Sequence, residues 1–324
     1  MPTRRLLSLV ALVTTCGVAP FALLALLALQ SCSTAERPAF DGDDDGSSSG
    51  APDAAAIAPP DGGGISSGGS GTVVTGPAEV FVHSSDTLYK LEPDTKALTK
   101  VGKFGGVTGS LIDIALNADG DMYGTTTDAL YKIDKTTGAS TKIGKGGAGK
   151  YPNSLSFAPK GTVESDREVL VGYLASDYIS IDPDTGDTAV IKPDALDEGL
   201  VSSGDIVSIR EGDFLTYLTV KPADPQDCTG ECAKCKANDC LLQVDPKTGE
   251  RLSNLGTTNR TRVFGLAFWA GTLYGISSDG KLFEIDPAES PLSTGVKNIT
   301  IPGGLGTIAF FGAGSTTSAP RGPN

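Results

Sequence analysis

The sequence is poor in the groups on which most enzyme chemistry depends. Its 324 residues include one histidine, His83, one tryptophan and two methionines. A histidine-based triad would therefore depend on His83 alone, which we expect on an outer strand or in its turn. Residues 78–314 also contain no serine nucleophile elbow, no phosphate-binding loop and no zinc-protease motif. These absences favour a non-enzymatic protein and predict no catalytic residue.

Basic residues are scarce as well. The chain has 26 lysines and arginines against 39 aspartates and glutamates, a net charge of −13. Negative charge spread along a chain supports solubility and repels both nucleic acid and anionic membrane surfaces. We therefore expect no nucleic-acid partner, and we expect the folded part to be monomeric.

The N-terminus has the features of an export signal. Arg4 and Arg5 precede the apolar residues 6–29, which end in Leu29-Gln30-Ser31-Cys32. A Cys after a small residue, with Leu three positions before it, resembles the lipobox of bacterial lipoproteins. The resemblance implies cleavage of a signal peptide, residues 1–31, and acylation of the Cys32 thiol and of the new amino terminus. Two or more acyl chains give stable membrane anchoring.

The expected location is the cell envelope, on the periplasmic face or at the cell surface. Ser33 follows Cys32, whereas Asp at this position retains lipoproteins at the inner membrane of enteric bacteria, so the outer membrane is favoured. An uncleaved signal anchor and plain secretion are the alternatives, because the apolar stretch is nearly long enough to span a bilayer.

The segment after Cys32 is expected to be a tether. Residues 33–77 are rich in Asp, Ser, Pro and Gly and hold almost nothing large and apolar, so they cannot offset the entropy of ordering. A flexible coil of this length reaches roughly 35–40 Å. We assign residues 32–77 to the lipidated, disordered tether and residues 315–324 to a disordered tail.

One phrase returns five times and organises the rest of the chain. Each copy alternates apolar and polar residues, as a strand with one buried face does, and ends in an acidic residue that Pro usually follows. Three copies continue through Thr-Gly, and Pro and Gly are residues that turns require. The copies lie at residues 88–93, 130–134, 178–183, 241–246 and 282–287.

The spacing of these copies indicates a propeller. Their central apolar residues lie 42, 48, 63 and 41 residues apart, and a period above 40 with several strands per unit is typical of propeller blades. An earlier phrase in each unit is expected to form the innermost strand, with a small middle residue where strands crowd near the axis. These small residues are Ala115, Ser156, Ser208, Ala267 and Ala309.

The two ends of the repeat region complement each other. The first unit lacks the inner phrase, and the last inner phrase, residues 305–310, has no blade after it. A C-terminal strand that completes the N-terminal blade would close five four-stranded blades into a ring without exposed edges. We therefore predict an all-β fold, a β-propeller over residues 78–314, with six blades as the alternative. The pattern resembles bacterial extracytoplasmic propellers of the YVTN and quinoprotein-like type, which implies a fold and no activity.

The spacing of 63 residues marks an insertion with four cysteines in the fourth blade, which we expect to form a loop at one rim. An even set of cysteines in an exported chain is expected to pair. We therefore predict two disulfides, with a bond between Cys228 and Cys240 at the base of the loop as the expected pairing among three. Zinc binding and free, redox-active thiols are the alternatives. The cysteines are Cys228, Cys232, Cys235 and Cys240.

A few polar residues precede the inner phrases. Gluconolactonase-type propellers hold a divalent metal at the channel mouth with carboxylates and an Asn. Asp113, Asn153 and Asp205 stand where they could meet around the axis and bind Ca²⁺. We favour the interpretation that these groups are solvated or cap backbone groups, so no cofactor is expected.

Two functional hypotheses follow. The first is a lipid-anchored, non-enzymatic module that binds a protein or a glycan or acts as a scaffold in the cell envelope. The second is a metal- or quinone-dependent enzyme, of the lactonase or dehydrogenase type, with its site at the channel mouth. The regular repeats and the shortage of converging polar groups favour the first.

Overall fold

The alternating phrases form strands, and these strands assemble into five antiparallel sheets. A computed structural model describes residues 79–210, 214–302 and 308–320, and these residues form a five-bladed β-propeller. The predicted signal peptide, Cys32 and the tether lie outside the described residues. Within the described part of the chain, no helix has the length and hydropathy needed to cross a membrane.

Each blade has four strands. Blade 1 contains β1 (Val80–Ser84), β2 (Thr87–Leu91), β3 (Leu98–Lys103) and β20 (Phe310–Ser315). Blade 2 contains β4 (Asp113–Leu116), β5 (Met122–Thr125), β6 (Leu130–Ile133) and β7 (Ser140–Ile143). Blade 3 contains β8 (Ser156–Ala158), β9 (Val169–Leu174), β10 (Asp177–Ile181) and β11 (Thr188–Lys192). Blade 4 contains β12 (Leu200–Ser208), β13 (Thr216–Pro222), β14 (Cys240–Val244) and β15 (Arg251–Thr257). Blade 5 contains β16 (Val263–Trp269), β17 (Thr272–Ser277), β18 (Leu282–Ile285) and β19 (Val296–Asn298). Short 3₁₀-helices cover Cys232–Cys235 and Leu292–Thr294.

The C-terminal strand completes the N-terminal blade, as predicted. β20 is the innermost strand of blade 1 and pairs antiparallel with β1, with Val82 opposite Ala313. Its position differs from the prediction, which placed the inner phrase at residues 305–310. The strand runs later in the chain because the residues that fit near the axis are Gly312, Ala313 and Gly314, while Ile308 and Ala309 precede the strand.

The strand register also corrects two of the five small residues predicted near the axis. Ala115, Ser156 and Ala267 occupy equivalent positions in blades 2, 3 and 5. The equivalent residues are Val207 in blade 4 and Gly314 in blade 1, in place of Ser208 and Ala309. The residue at this position is therefore small in four blades and Val207 in the fourth blade, and the sequence alignment of the phrases was wrong in two blades.

The hydrophobic core consists of separate layers between neighbouring blades. Phe81 and Leu88 of blade 1 pack with Ile114 and Met122 of blade 2, for example, and each of the other four junctions has its own cluster. Every blade therefore buries its two faces against two neighbours. Since burial of apolar area is the main favourable term in folding, a blade depends on both neighbours for its stability.

The turn at the end of the repeated acidic phrase contacts the preceding blade of the ring. In blade 4 its turn covers two fully buried tyrosines of blade 3, since Tyr178 Oη donates to the Pro246 carbonyl oxygen at 2.9 Å and Tyr173 Oη donates to that of Gly249. Gly249 has φ of 73°, and a Cβ atom there would collide with the Tyr178 ring. In the closed ring blade 5 precedes blade 1, and the turn of blade 1 contacts it. Lys96 Nζ lies 2.8 Å from a carboxylate oxygen of Glu284.

The acidic residue of the phrase stabilises its own turn. Its side-chain oxygen accepts a hydrogen bond from the backbone N–H two residues later, the arrangement of an Asx turn. Hydrogen bonds from the backbone N–H groups of Thr185 and Asp184 lower the pKa of Asp182 in this way. The donor–acceptor distances are 2.8 Å for Asp134, 2.8 Å for Asp182, 2.8 Å for Asp245 and 3.0 Å for Asp286.

The residues after β20 are ordered, in contrast to the predicted tail at residues 315–324. The Thr317 carbonyl oxygen accepts the Arg210 N–H at 2.9 Å, and the Pro320 carbonyl oxygen accepts the Ala270 N–H at 2.6 Å. Thr316 and its neighbours up to Ala319 are buried. Their polar composition suggested disorder, but hydrogen bonds to blades 4 and 5 compensate for it. Residues 321–324 lie outside the described part of the chain.

Deletion of residues 310–324 should abolish cooperative unfolding. Without β20, β1 loses its inner partner and the apolar faces beside blade 1 become exposed to water. Thermal unfolding followed by circular dichroism tests this, with deletion of residues 321–324 as the control, because the contacts described above end at Pro320. A cooperative transition of unchanged midpoint after the longer deletion would show that ring closure is dispensable.

Candidate functional site at the propeller axis

Five equivalent positions, two residues before the small-residue position, surround the axis. Two of them are glycines, and their lack of a side chain matters. A Cβ atom at Gly312 would collide with His83 Nε2 and Asp113 Oδ1, and one at Gly265 would meet the backbone of Gly312 and Ala313. The ring therefore has room for two carboxyl groups at this level because two positions carry no side chain. The five residues are Asp113, Ser154, Asp205, Gly265 and Gly312.

Asp113 and Asp205 are fully buried and are held by backbone N–H groups. Asp113 Oδ1 accepts from its neighbour Ile114 at 2.9 Å, and its Oδ2 accepts from Leu155 at 2.8 Å. Asp205 has the same arrangement, accepting from Ile206 at 2.6 Å and from Leu266 at 2.5 Å. Each carboxyl group thus binds its own strand with one oxygen and the next blade with the other.

The two carboxyl groups lie close enough for the charge of Asp205 to act on Asp113. Burial raises the pKa of Asp113 well above the ordinary value of 3.8, and the neighbouring charge of Asp205 raises it further. Burial likewise raises the pKa of Asp205. Two carboxylates that share one buried site cannot both ionise without a large cost, so the pair keeps a proton where free aspartate has lost it.

Similar hydrogen bonds join the inner strands at other blade junctions. A serine does this in two places, where its Oγ accepts a backbone N–H from the adjacent blade, and the remaining junction has backbone pairing between Leu116 and Thr316. These side chains act as clamps across the ring. The clamps are Asp113 to Leu155 at 2.8 Å, Ser156 to Ser208 at 3.2 Å, Asp205 to Leu266 at 2.5 Å and Ser315 to Phe268 at 3.0 Å.

The structure brings two of the three predicted calcium ligands together. Asn153 does not join them in their hydrogen bonding, since its Nδ2 donates to the Ser202 carbonyl oxygen at 3.2 Å. The carboxyl oxygens already receive backbone N–H donors, whose positive ends oppose a bound cation. Among the described residues, no group of three or more His, Cys, Asp or Glu side chains is arranged for a metal ion. The donor set therefore suits a clamp and fits calcium poorly.

His83 lies on β1, the second strand from the axis, and not on an outer strand as predicted. Its side chain is fully buried, and its Nδ1 lies 2.7 Å from the Ser84 carbonyl oxygen. A carbonyl oxygen only accepts, so Nδ1 is the donor in this hydrogen bond. The ring meets Phe104 edge-on, with centroids 5.6 Å apart. These contacts pack the single histidine into the interior of the ring.

The axial pair should make the protein less stable as the pH rises. A carboxyl group whose pKa is raised in the folded state contributes its full stabilisation below pH 3.8, the ordinary pKa of aspartate. This stabilisation is lost as the pH rises through the raised pKa. The loss is about 1.4 kcal/mol per pH unit for each proton involved. Urea unfolding between pH 4 and 9 should show a smaller decrease for Asp205→Asn than for the wild type.

Asp182→Asn is the matched control for this measurement. Hydrogen bonds lower the pKa of Asp182, so it contributes stability above its ordinary pKa and loses that contribution in acid. Its replacement should alter the acid limb and leave the decrease at higher pH intact. An Asp205→Asn profile that falls as steeply as the wild type would contradict the raised pKa of Asp205.

The four cysteines of the insertion form two disulfides, as predicted, but with a different pairing. Cys228 bonds to Cys232, and Cys235 bonds to Cys240. The predicted bond between Cys228 and Cys240 was wrong. The physical reason is the 3₁₀-helix at Cys232–Cys235, which turns the chain so that each cysteine meets a partner four or five residues away. We call residues 228–240 the cysteine loop.

The cysteine loop is fixed to the connection between blades 3 and 4. Glu198 Oε2 accepts the Glu231 N–H at 2.8 Å, which ties the loop to that connection. Arg251 of β15 adds ion pairs to Asp197 at 2.7 Å and to Glu198 at 3.0 Å. Within the loop, Asp239 is buried and its Oδ2 accepts the Val263 N–H at 2.8 Å, so the loop also contacts blade 5. Sequence analysis missed this role of Asp239.

A tryptic map without reduction should distinguish the pairings. Trypsin cleaves after Lys234 and Lys236, which separates the two disulfides observed here. We expect residues 235–236 to remain linked to the peptide that begins at residue 237, while the peptide ending at Lys234 carries an internal bond. Recovery of that peptide linked to the one containing Cys240 would support the Cys228 to Cys240 bond instead.

Comparisons with known proteins identify no family. No family model matches the sequence, and no curated protein matches it. A structure of a nidogen/laminin complex is 12% identical, with 76% of this chain and 100% of that chain covered at a TM-score of 0.43. A protein of unknown function from Bacteroides caccae is 13% identical, with 74% and 98% covered at a TM-score of 0.35. Likenesses of this strength carry no argument about function, and the strand order itself establishes the propeller.

Proposed function

We propose that this protein is a lipid-anchored, non-enzymatic β-propeller of the bacterial cell envelope that binds a protein or a glycan through its rim loops. The observation that carries the proposal is the use of Asp113 and Asp205 as clamps between blades. Their oxygens hold backbone N–H groups at 2.5–2.9 Å. Because these buried carboxyl groups hold the inner strands of neighbouring blades together, we assign binding of a partner to the loops around the rim.

The cysteine loop supports a binding role for one rim. Two disulfides fix it internally, and the hydrogen bond from the Glu231 N–H to Glu198 Oε2 at 2.8 Å holds it against the connection between blades 3 and 4. A loop ordered in advance loses little conformational entropy when a partner binds, so more of the contact energy appears as affinity. The rim therefore offers a rigid surface without the need for a mobile lid.

Anchoring follows from the N-terminal sequence. Acylation of Cys32 would hold the chain in the membrane, and the tether would keep the propeller clear of the lipid headgroups. After cleavage before Cys32, 24 basic and 39 acidic residues remain, a net charge of −15. Such a domain is repelled by anionic lipid, which also favours a position away from the membrane surface. Ser33 supports the outer membrane as the location.

The rival function is a metal- or quinone-dependent enzyme at the channel mouth. The meeting of Asp113 and Asp205 is the observation in its favour, since paired carboxyl groups are common in enzyme sites. A metal would have to displace the proton that the raised pKa values favour and oppose the backbone N–H donors around it. We therefore place this alternative second.

A cell-fractionation and cross-linking experiment tests the proposal. The full chain should partition with outer membranes, and Cys32→Ala should move it to the soluble fraction while its binding to isolated envelopes persists. Protease treatment of the envelopes should abolish binding if the partner is a protein, and glycan hydrolases should do so if it is a glycan. The folded domain is unchanged by Cys32→Ala, so this variant separates anchoring from recognition.

Two results would overturn the proposal. Envelopes that fail to retain either form would remove the binding role. Stoichiometric Ca²⁺ or a quinone in the purified chain, lost with Asp113→Asn and accompanied by turnover, would establish the enzyme instead.

A further inference from the structure

A polar cleft lies between the rim of blade 4 and the rim of blade 5. It has a volume of about 260 Å³ and is lined by Asn238 of the cysteine loop, by residues 259–262 and by residues 277–279. This volume is below the roughly 300–1,000 Å³ of sites for drug-sized ligands, so the cleft suits a group the size of one sugar ring. All its lining side chains are polar, which fits a ligand rich in hydroxyl groups.

Two arginines line the cleft in a chain that is strongly acidic overall. We call residues 258–263 the arginine loop, because it presents Arg260 and Arg262. Arg260 is held in place, with Nη2 donating to Asn298 Oδ1 at 2.6 Å and Nη1 donating to the Asn259 carbonyl oxygen at 3.1 Å. Arg262 is exposed, and neither arginine forms an ion pair with a carboxylate of the described residues. The Arg260 guanidinium already donates through both Nη atoms and lies over the Phe283 ring, 5.5 Å from its centroid, so Arg262 is the guanidinium available to an anion.

The arginine loop is shaped by an unusual backbone. Asn259 has φ of 55° and Arg262 has φ of 54°, in the left-handed region of the backbone that residues other than glycine adopt less often. Such conformations persist where surrounding contacts impose them, often at binding sites. Here the two turns bring Arg260 and Arg262 to the same cleft.

The cysteine loop supplies the contacts that hold this backbone. The Arg260 carbonyl oxygen accepts the Asp239 N–H at 2.7 Å, and Thr258 Oγ1 donates to the Asp239 carbonyl oxygen at 2.8 Å. Cys240, the next residue, is bonded to Cys235. The disulfide therefore rigidifies the support of the arginine loop, and the cleft is ordered before a ligand arrives.

We infer that this cleft binds a sugar acid, a saccharide ring that carries a carboxylate. Guanidinium groups recognise carboxylates through paired, charge-assisted hydrogen bonds, so Arg262 would bind the carboxylate, with the fixed positive charge of Arg260 beside it. The side chains of Asn238, Asn259 and Ser278 offer donors and acceptors for ring hydroxyls. Asp279 accepts the Ser277 hydroxyl at 2.5 Å and repels a second negative charge on that side. The inference rests on the proposed function and specifies its ligand as an acidic glycan.

Isothermal titration of the full mature chain tests the inference, with D-glucuronate, D-glucose and acetate as probes. D-glucuronate should bind, and D-glucose and acetate should each bind at least tenfold more weakly, since each lacks one of the two recognised features. Arg262→Ala should weaken glucuronate binding by about tenfold or more, the effect of losing roughly 1.5–3 kcal/mol of charge-assisted hydrogen bonding. Asp279→Asn should strengthen it.

Arg167→Ala is the matched control, because it removes one positive charge from an exposed arginine in the turn between β8 and β9. It should leave glucuronate binding unchanged, whereas an equal loss would show that net charge alone governs affinity. Equal binding of glucose, binding of an acidic dipeptide in place of glucuronate, or an unaltered affinity in Arg262→Ala would overturn the inference. If envelopes retain the chain and glucuronate does not bind, the proposed function stands without this ligand.

Discussion

Packing between neighbouring blades is the constraint on which the rest of the structure depends. Each blade buries both faces against the blades beside it, and the five apolar clusters lie at the five junctions. An open end would leave one apolar blade face exposed to water, so the N- and C-terminal strands meet in one blade to close the ring. The pairing of β20 with β1 meets that requirement, and the residues after β20 add hydrogen bonds to blades 4 and 5.

Polar groups close to the axis serve the same purpose by a different interaction. Apolar contacts hold the blade faces together. The side chains of Asp113, Asp205 and two serines connect the inner strands, because each accepts a hydrogen bond from a backbone N–H group of the adjacent blade. A buried carboxyl group is costly unless hydrogen bonds compensate for it, and here they do. The raised pKa values of the pair also favour the retention of a proton, which reduces its charge. Groups that resemble a catalytic dyad in isolation are thus explained by the geometry of the ring.

The regular part of the ring is therefore the scaffold, and the irregular part is where recognition is proposed. The insertion in blade 4 brings two disulfides to the rim and orders the adjoining arginine loop. This arrangement lets a chain with few catalytic groups present a specific surface on a fixed frame. This arrangement requires local backbone strain at Asn259 and Arg262, which the neighbouring hydrogen bonds offset.

The sequence by itself determined the strand repeat, the number of blades, ring closure by the C-terminus and the presence of two disulfides. These features follow from period-2 alternation, turn residues and cysteine number, which are local properties. Tertiary structure decided the register of β20, the cysteine pairing, the order of Ser315–Pro320 and the meeting of Asp113 with Asp205. Each depends on contacts between residues distant in the chain, such as Gly312 beside Asp113 or Arg260 beside Asp239, and no local pattern encodes those contacts.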